Sequence, residues 1–259
     1  MSAVVVKLGG AVLADASAVA EVWAGARALA GRRRVVLVHG GGPQATALAR
    51  RLGHEPRVVA GRRVTTDLDL DVALWTLRGA LNARLVAAAR PAGARAVGVS
   101  GADGGLVTVV RRPPREVDGD VLDFGHVGDV EAVDVALLDA LLAAGFVPVV
   151  ASVCADAAGA LYNVNADTVA SELALALGAD RLDLVTEAGG VRRDPDDASS
   201  ALRQLAAAEA EAGVAEGWIA GGMRPKVEVA LDALGRGVRA VRVCAPADVA
   251  GDGGTLLVP

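Results

Sequence analysis

Ala3-Val4-Val5-Val6-Lys7-Leu8-Gly9-Gly10 reads as a short buried strand running straight into a glycine turn. Its apolar residues are consecutive rather than alternating, which is the pattern of a strand covered on both faces, as in a parallel sheet. Similar runs recur at 34–39, 95–99, 147–151, 182–186 and 238–244. Between them, Ala/Leu-rich stretches with helical spacing occupy about 14–30, 43–53, 67–91, 133–144, 167–177, 199–212 and 224–236. Strand–helix alternation of this kind predicts an α/β fold, a mostly parallel open sheet sandwiched by helices. Residues 106–132 break the rhythm. There Val107–Val110, Val121–Phe124 and Asp129–Ala132 are separated by Pro113-Pro114 and by Asp118-Gly119-Asp120, which predicts antiparallel hairpins forming a lid. A fresh helix, strand and glycine turn after residue 166 predict two lobes on one sheet.

Lys7 and Lys226 are the only lysines among 26 basic residues, and both sit beside glycine. Lys226 closes Gly221-Gly222-Met223-Arg224-Pro225-Lys226, just after Ile219. An ammonium is a compact point charge and guanidinium a planar fork, so the two are not interchangeable around a moving phosphoryl group. Two leftover surface lysines are the bland alternative.

The bulk properties exclude several classes. With 53% hydrophobic and 22% charged residues, the 259-residue chain can bury a large core, built from Val, Leu and Ala because aromatics are only 2%. A net charge near −5 argues against a nucleic-acid partner. Arg111, Arg112 and Arg115 read as a solvated loop rather than a binding patch. Cys154 and Cys244 are too few for a disulfide framework, and no Cys/His grouping has metal-ligand spacing, so no metal site is expected on the protein. No run approaches the ~18 apolar residues of a membrane span. A soluble, cytoplasmic protein without a membrane partner is the expectation.

Gly9-Gly10, Gly40-Gly41-Gly42 and Gly189-Gly190 each follow a predicted strand. Such turns gather backbone N–H groups and a helix N-terminus at the sheet's carboxyl edge, where anions bind. Neither GxxxxGK[ST] nor GxGxxG is present, which disfavours the P-loop and dinucleotide readings. Two of only three asparagines fall in Asn163-Val164-Asn165-Ala166-Asp167, ahead of a helix. Asn165 or Asp167 can be a plain N-cap. The cluster equally offers amide donors to a carboxylate, with Asp167 placed to hold two ammonium groups. Arg63 is a candidate carboxylate clamp, or else one more surface arginine. His39, His54 and His126 lack a nucleophile partner, and His39 reads as a satisfied core or loop histidine. Few acid–base groups suit phosphoryl transfer to a carboxylate, whose acceptor is already ionised and needs only positioning and charge stabilisation.

These segments, in this order and over essentially all 259 residues, resemble the amino acid kinase family. The resemblance implies that family's fold over 1–259, with lobe 1–165 binding an acyl acceptor and lobe 166–259 binding nucleotide. It implies ATP, with Mg²⁺ carried on its phosphates, and phosphorylation of the side-chain carboxylate of N-acetyl-L-glutamate in arginine biosynthesis. By motif match Lys7, Lys226 and Asp167 would be catalytic. Gly41, Gly42, Arg63, Asn163 and Asn165 would bind the acceptor. Gly9, Gly10, Thr186, Glu187, Gly190, Ile219, Gly222 and Met223 would meet the nucleotide. The related kinase acting on carrier-linked aminoadipate and an inactive nucleotide-sensing member are the alternatives. Glu187 departs from the family's usual Asp, and Gly189 from a common Pro. The chain starts at its first strand, without the helix that arginine-inhibited relatives use for ring assembly, so the resemblance implies a homodimer without arginine feedback.

Overall fold

The computed structural model describes residues 2–59, 62–117 and 119–259. Gly61 of the Arg63 segment and Asp118 of the predicted hairpin turn lie outside them. Eight strands form the main sheet: β1 (Ala3–Leu8), β2 (Arg34–His39), β3 (Ala96–Ser100), β4 (Val147–Ala151), β5 (Arg181–Val185), β6 (Gln204–Ala206), β7 (Val241–Cys244) and β8 (Thr255–Val258). Their order is β6-β8-β7-β5-β1-β2-β4-β3, and only the β7–β8 pairing is antiparallel. Strands from residues 1–165 thus lie on one side of the β5–β1 seam and those from 166–259 on the other.

Register lines up the carboxyl edge. Ser100, Ala151, His39, Leu8, Val185 and Cys244 face one another across six neighbouring strands, so every turn that follows opens at one level. Helices cover both faces. Val4, Val6 and Leu8 pack beneath helix α1 (Ala16–Ala30), whose Trp23 donates its indole N–H to the Leu85 carbonyl at 3.0 Å. Ala3 and Val5 point the other way, into the core beneath helices 166–176 and 224–235. Strand residues alternate faces, so Lys7 falls on this second side, beside the helix that carries Asp167.

The parallel strands, the helices near 14–30, 43–53, 133–144, 167–177 and 224–236, and the hairpins all appear, with ends shifted by a few residues. Val107–Arg111 pairs antiparallel with Gly128–Val133, and Arg115–Val117 with Asp120–Leu122. Four differences stand out. The helix expected over 199–212 begins only at Ala207, because 198–200 is a 3₁₀ turn and 204–206 is strand β6. Strand β8 was not expected at all. Asp123 and Phe124 lie beyond the short hairpin strand, and Phe124 is buried. The long helix over 67–88 contains a π segment, Leu74–Leu81, between two α segments.

Arg112 corrects a further expectation. It is buried, with Nε and Nη2 donating to Asp129 Oδ1 at 2.9 and 2.5 Å, while Arg111 and Arg115 remain exposed. No described helix is long and apolar enough to cross a membrane. Cys154 and Cys244 are free thiols, each pushed up to about 12 by burial.

Candidate active site

Two cavities open at the carboxyl edge and meet at Lys7, Gly10 and Asn165, which line both. The larger encloses about 1020 Å³ and the smaller about 280 Å³. Gly9, Gly10, Thr186, Glu187, Gly190, Ile219, Gly222 and Met223 all line the larger, with Asp167 and Lys226. Gly41, Gly42, Arg63, Asn163 and Asn165 all line the smaller, with Lys7. The residues expected to meet nucleotide and those expected to meet acceptor thus line two contiguous spaces, with Gly10 and Asn165 bordering both.

Lys7 stands one residue before the end of β1, level with Val38 and Leu184. Its Nζ lies 2.8 Å from Asp167 Oδ1. Asp167 belongs to the first turn of the helix Ala166–Ala176, and Asn165 is the N-cap, accepting from the Asp167 N–H at 2.7 Å. The capping reading of Asn165 is therefore realised, and the same residue still borders both cavities. Lys226 enters from the first turn of helix 224–235, whose second residue is Pro225, a residue suited to a helix's opening turn. Its Nζ donates to the Gly222 carbonyl at 2.6 Å, so Asp167 holds Lys7 directly and Lys226 only at longer range. Burial and the nearby charge of Lys7 push the Lys226 ammonium below the ordinary lysine range, against the opposing pull of Asp167.

Close backbone approach explains the glycines. A Cβ at Gly10 would stand 2.7 Å from Pro43 Cδ, and one at Gly41 would run into Leu81 Cδ1. Gln44 joins the two turns by donating to the Gly10 carbonyl at 2.8 Å.

In the smaller cavity, Arg63 Nη2 donates to Thr46 Oγ1 at 2.5 Å, while buried Nη1 has no hydrogen bond. Asp69 Oδ1 is 3.5 Å from Nη1 but is already engaged by His54 at 3.1 Å. Burial pushes the Asp69 carboxyl up, but hydrogen bonds from Thr66 outweigh it and leave the group below its usual range. Among the described residues Arg63 is thus ion-paired with Asp69 but has no hydrogen bond at Nη1, and a guanidinium of this kind on a cavity wall suits a carboxylate ligand. Asn163 closes the short strand Leu161–Asn163 beside Thr65, and its Nδ2 is 3.4 Å from Thr65 Oγ1. Thr65 is clamped to the hairpin region through Phe124 O at 2.9 Å and His126 N at 2.8 Å.

In the larger cavity, buried Thr186 caps β5 and its N–H donates to the Cys244 carbonyl at 2.9 Å. Glu187 is exposed in the turn that follows, and no ion pair engages it among the described residues. Residues missed from sequence are Arg62, Asp69, Ser152 and Arg112 around the smaller cavity, and Trp218, Arg192 and Pro195 around the larger. Arg62 adjoins Arg63 and could have been read with it. The others are scattered along the chain, and only folding gathers them.

A mostly parallel sheet whose carboxyl edge brings two lysine ammonium groups to paired cavities defines a phosphotransferase of one class: the chain belongs to the amino acid kinase family, whose model matches residues 2–245. It is 45% identical to acetylglutamate kinase of Anaeromyxobacter dehalogenans (strain 2CP-C), over 93% of this chain and 90% of that one. It is 44% identical to acetylglutamate kinase of Sorangium cellulosum (strain So ce56), over 98% and 94%. Giardia carbamate kinase shares the fold, with a TM-score of 0.67 at 14% identity, over 99% of this chain and 98% of that one.

Proposed function

We propose that this protein transfers the γ-phosphoryl group of ATP to the side-chain carboxylate of N-acetyl-L-glutamate, giving ADP and N-acetyl-L-glutamyl 5-phosphate, a step of arginine biosynthesis. The observation that carries the reading is the junction of the two cavities at Lys7, Gly10 and Asn165. ATP fits the larger cavity, where Gly9, Gly10, Gly190 and Gly222 allow phosphates close to the backbone. Thr186, Glu187, Ile219 and Met223 line the rest of that space. The acceptor fits the smaller one, its α-carboxylate on the Arg63 guanidinium and its amide near Asn163. Its side-chain carboxylate then lies towards Lys7 and the Gly41-Gly42 turn.

The acceptor carboxylate is ionised at neutral pH and attacks without a general base. Its oxygen forms a bond to the γ-phosphorus as the bond to the β-bridging oxygen breaks, and ADP keeps that electron pair. Lys7 stabilises charge on the phosphoryl group in transit, Lys226 stabilises the leaving side, and Asp167 keeps Lys7 in place. Mg²⁺ would be carried on the nucleotide phosphates and offset their charge; no group of three or more His, Cys, Asp or Glu side chains is placed to hold it among the described residues.

The division at the β5–β1 seam supports lobes 1–165 for acceptor and 166–259 for nucleotide. Residues 106–132 would act as a lid, since they supply Arg112 and Val127 to the smaller cavity. A homodimer in the cytoplasm completes the reading, with the half-exposed indole of Trp75 available to a second copy. The test is an acceptor panel with Mg-ATP and hydroxylamine trapping of the acyl phosphate. Acyl hydroxamate from N-acetyl-L-glutamate is expected. ADP without that hydroxamate, while an aminoadipate-type acid yields one, overturns the assignment.

A further inference from the structure

Beneath the Gly40-Gly41-Gly42 turn lie two polar side chains that packing alone does not call for. His39 is fully buried at the end of β2, and Asn82, which follows the π segment, is 2% exposed. Asn82 Nδ2 lies 2.9 Å from the Val149 carbonyl, 3.3 Å from the Val99 carbonyl and 3.0 Å from His39 Nε2. Two carbonyls can face only the NH₂ end of an amide, so its orientation is decided. One of its hydrogens serves the strand carbonyls and the other points at Nε2, which must therefore accept. The imidazole proton is left on Nδ1, which donates to the Gly40 carbonyl at 2.8 Å. Burial also lowers the His39 pKa to about 4, which keeps the ring neutral at working pH.

The consequence falls on Gly41. A trans peptide is planar, so fixing the Gly40 carbonyl fixes the Gly41 N–H on the opposite side of the same plane. That N–H has no partner among the described residues, and Gly41 lines the smaller cavity. The π segment supports the arrangement from behind. It places Leu77 and Leu81 where a Gly41 Cβ would be, and brings Asn82 to His39. π turns of this kind recur at functional sites.

We propose that Asn82 and His39 form a positioning pair that aims the Gly41 N–H at the oxygen of the phosphoryl group in transit. The inference rests on the kinase reading above. Preorganised donors of this type act on developing charge, so the pair serves turnover more than nucleotide binding.

Nitrogen NMR on the ligand-free protein tests the premise, and only three histidines have to be assigned. His39 is expected as the neutral Nδ1–H tautomer, and an Nε2–H tautomer overturns the proposal. Two variants test the function. The amide of His39→Asn can occupy the place of Nδ1 and keep the bond to Gly40, whereas that of His39→Gln reaches only the place of Nε2. At matched thermal midpoints, His39→Gln should lose at least tenfold in kcat with KM for ATP within twofold. His39→Asn should stay within threefold of the parent. Equal losses in the two variants, or a parallel rise in KM for ATP, overturn the proposal. Should His39→Gln fail to fold, the tautomer decides. Failure of the unaltered chain to phosphorylate any acceptor would refute the kinase reading instead, and the tautomer is read without substrate.

Discussion

Asp167 Oδ1 sits 2.8 Å from Lys7 Nζ across the seam between the two halves of the sheet, while Lys226 is held by the carbonyl of Gly222. One ammonium is therefore tethered by a carboxylate and the other by the turn that precedes its own helix. Two like charges are kept near each other, with Asp167 paired to only one of them among the described residues, which favours a ligand that brings further negative charge.

Lys7→Arg and Lys226→Arg should each lower kcat by roughly 10²-fold or more, because a planar fork cannot replace a point charge at the phosphoryl group. Steady-state kinetics alongside thermal melts check this. Near-normal turnover in either variant removes the role assigned to that lysine.

Lys226 should release its proton at lower pH than an ordinary lysine, because burial and Lys7 both oppose its charge. The unfolded chain then binds the extra proton between the folded value and 10.5, so this group's contribution to stability rises with pH through that window. Activity that needs the ammonium falls through the same window. Reductive ¹³C-methylation reads the titration directly, since the chain has two lysines. Lys7→Gln should move the Lys226 midpoint upward, and an unmoved midpoint contradicts the coupling.

Arg63→Ala should raise KM for the acceptor roughly 10- to 100-fold, the equivalent of losing a charged hydrogen bond of about 1.5–3 kcal/mol. KM for ATP should hardly change, because Arg63 lines only the smaller cavity. A comparable rise for both substrates would mean that the two cavities do not divide the substrates as proposed.

Asp183→Ala should destabilise the fold without touching either cavity. Asp183 is fully buried and accepts from Arg242 Nε and Nη2 at 2.9 and 2.8 Å, and from Arg181 Nε at 2.6 Å. Its removal strands the buried Arg242 guanidinium, at a cost of about 3–5 kcal/mol. Scanning calorimetry should show the midpoint falling by roughly 6–20 °C at this chain size. A fall of only a degree or two would mean that solvent reaches Arg242.

Local patterns in the residues dictate much of this molecule. Apolar runs such as Ala3-Val4-Val5-Val6 can be satisfied only as strands covered on both faces, and each is followed by a turn or helix whose composition is equally local. Hence β1, β2, β4 and most helices are legible residue by residue, as are the glycine turns and the rarity of Lys7 and Lys226. Strands β6 and β8 are not. Gln204-Leu205-Ala206 has the composition of the helix it precedes, and it becomes a strand only because Thr255–Val258 lies beside it. Such pairing between distant segments outweighs weak local preference. The site divides the same way. Which residues carry charge is written in the chain. That Asp167 takes Lys7 rather than both lysines, that Arg112 is buried on Asp129 beside the smaller cavity, and that Asn82 orients His39 all depend on contacts between remote segments. Those contacts exist only once strand register has brought the ends of six strands into one row, because the geometry of a hydrogen bond or ion pair is set by where backbones finally lie.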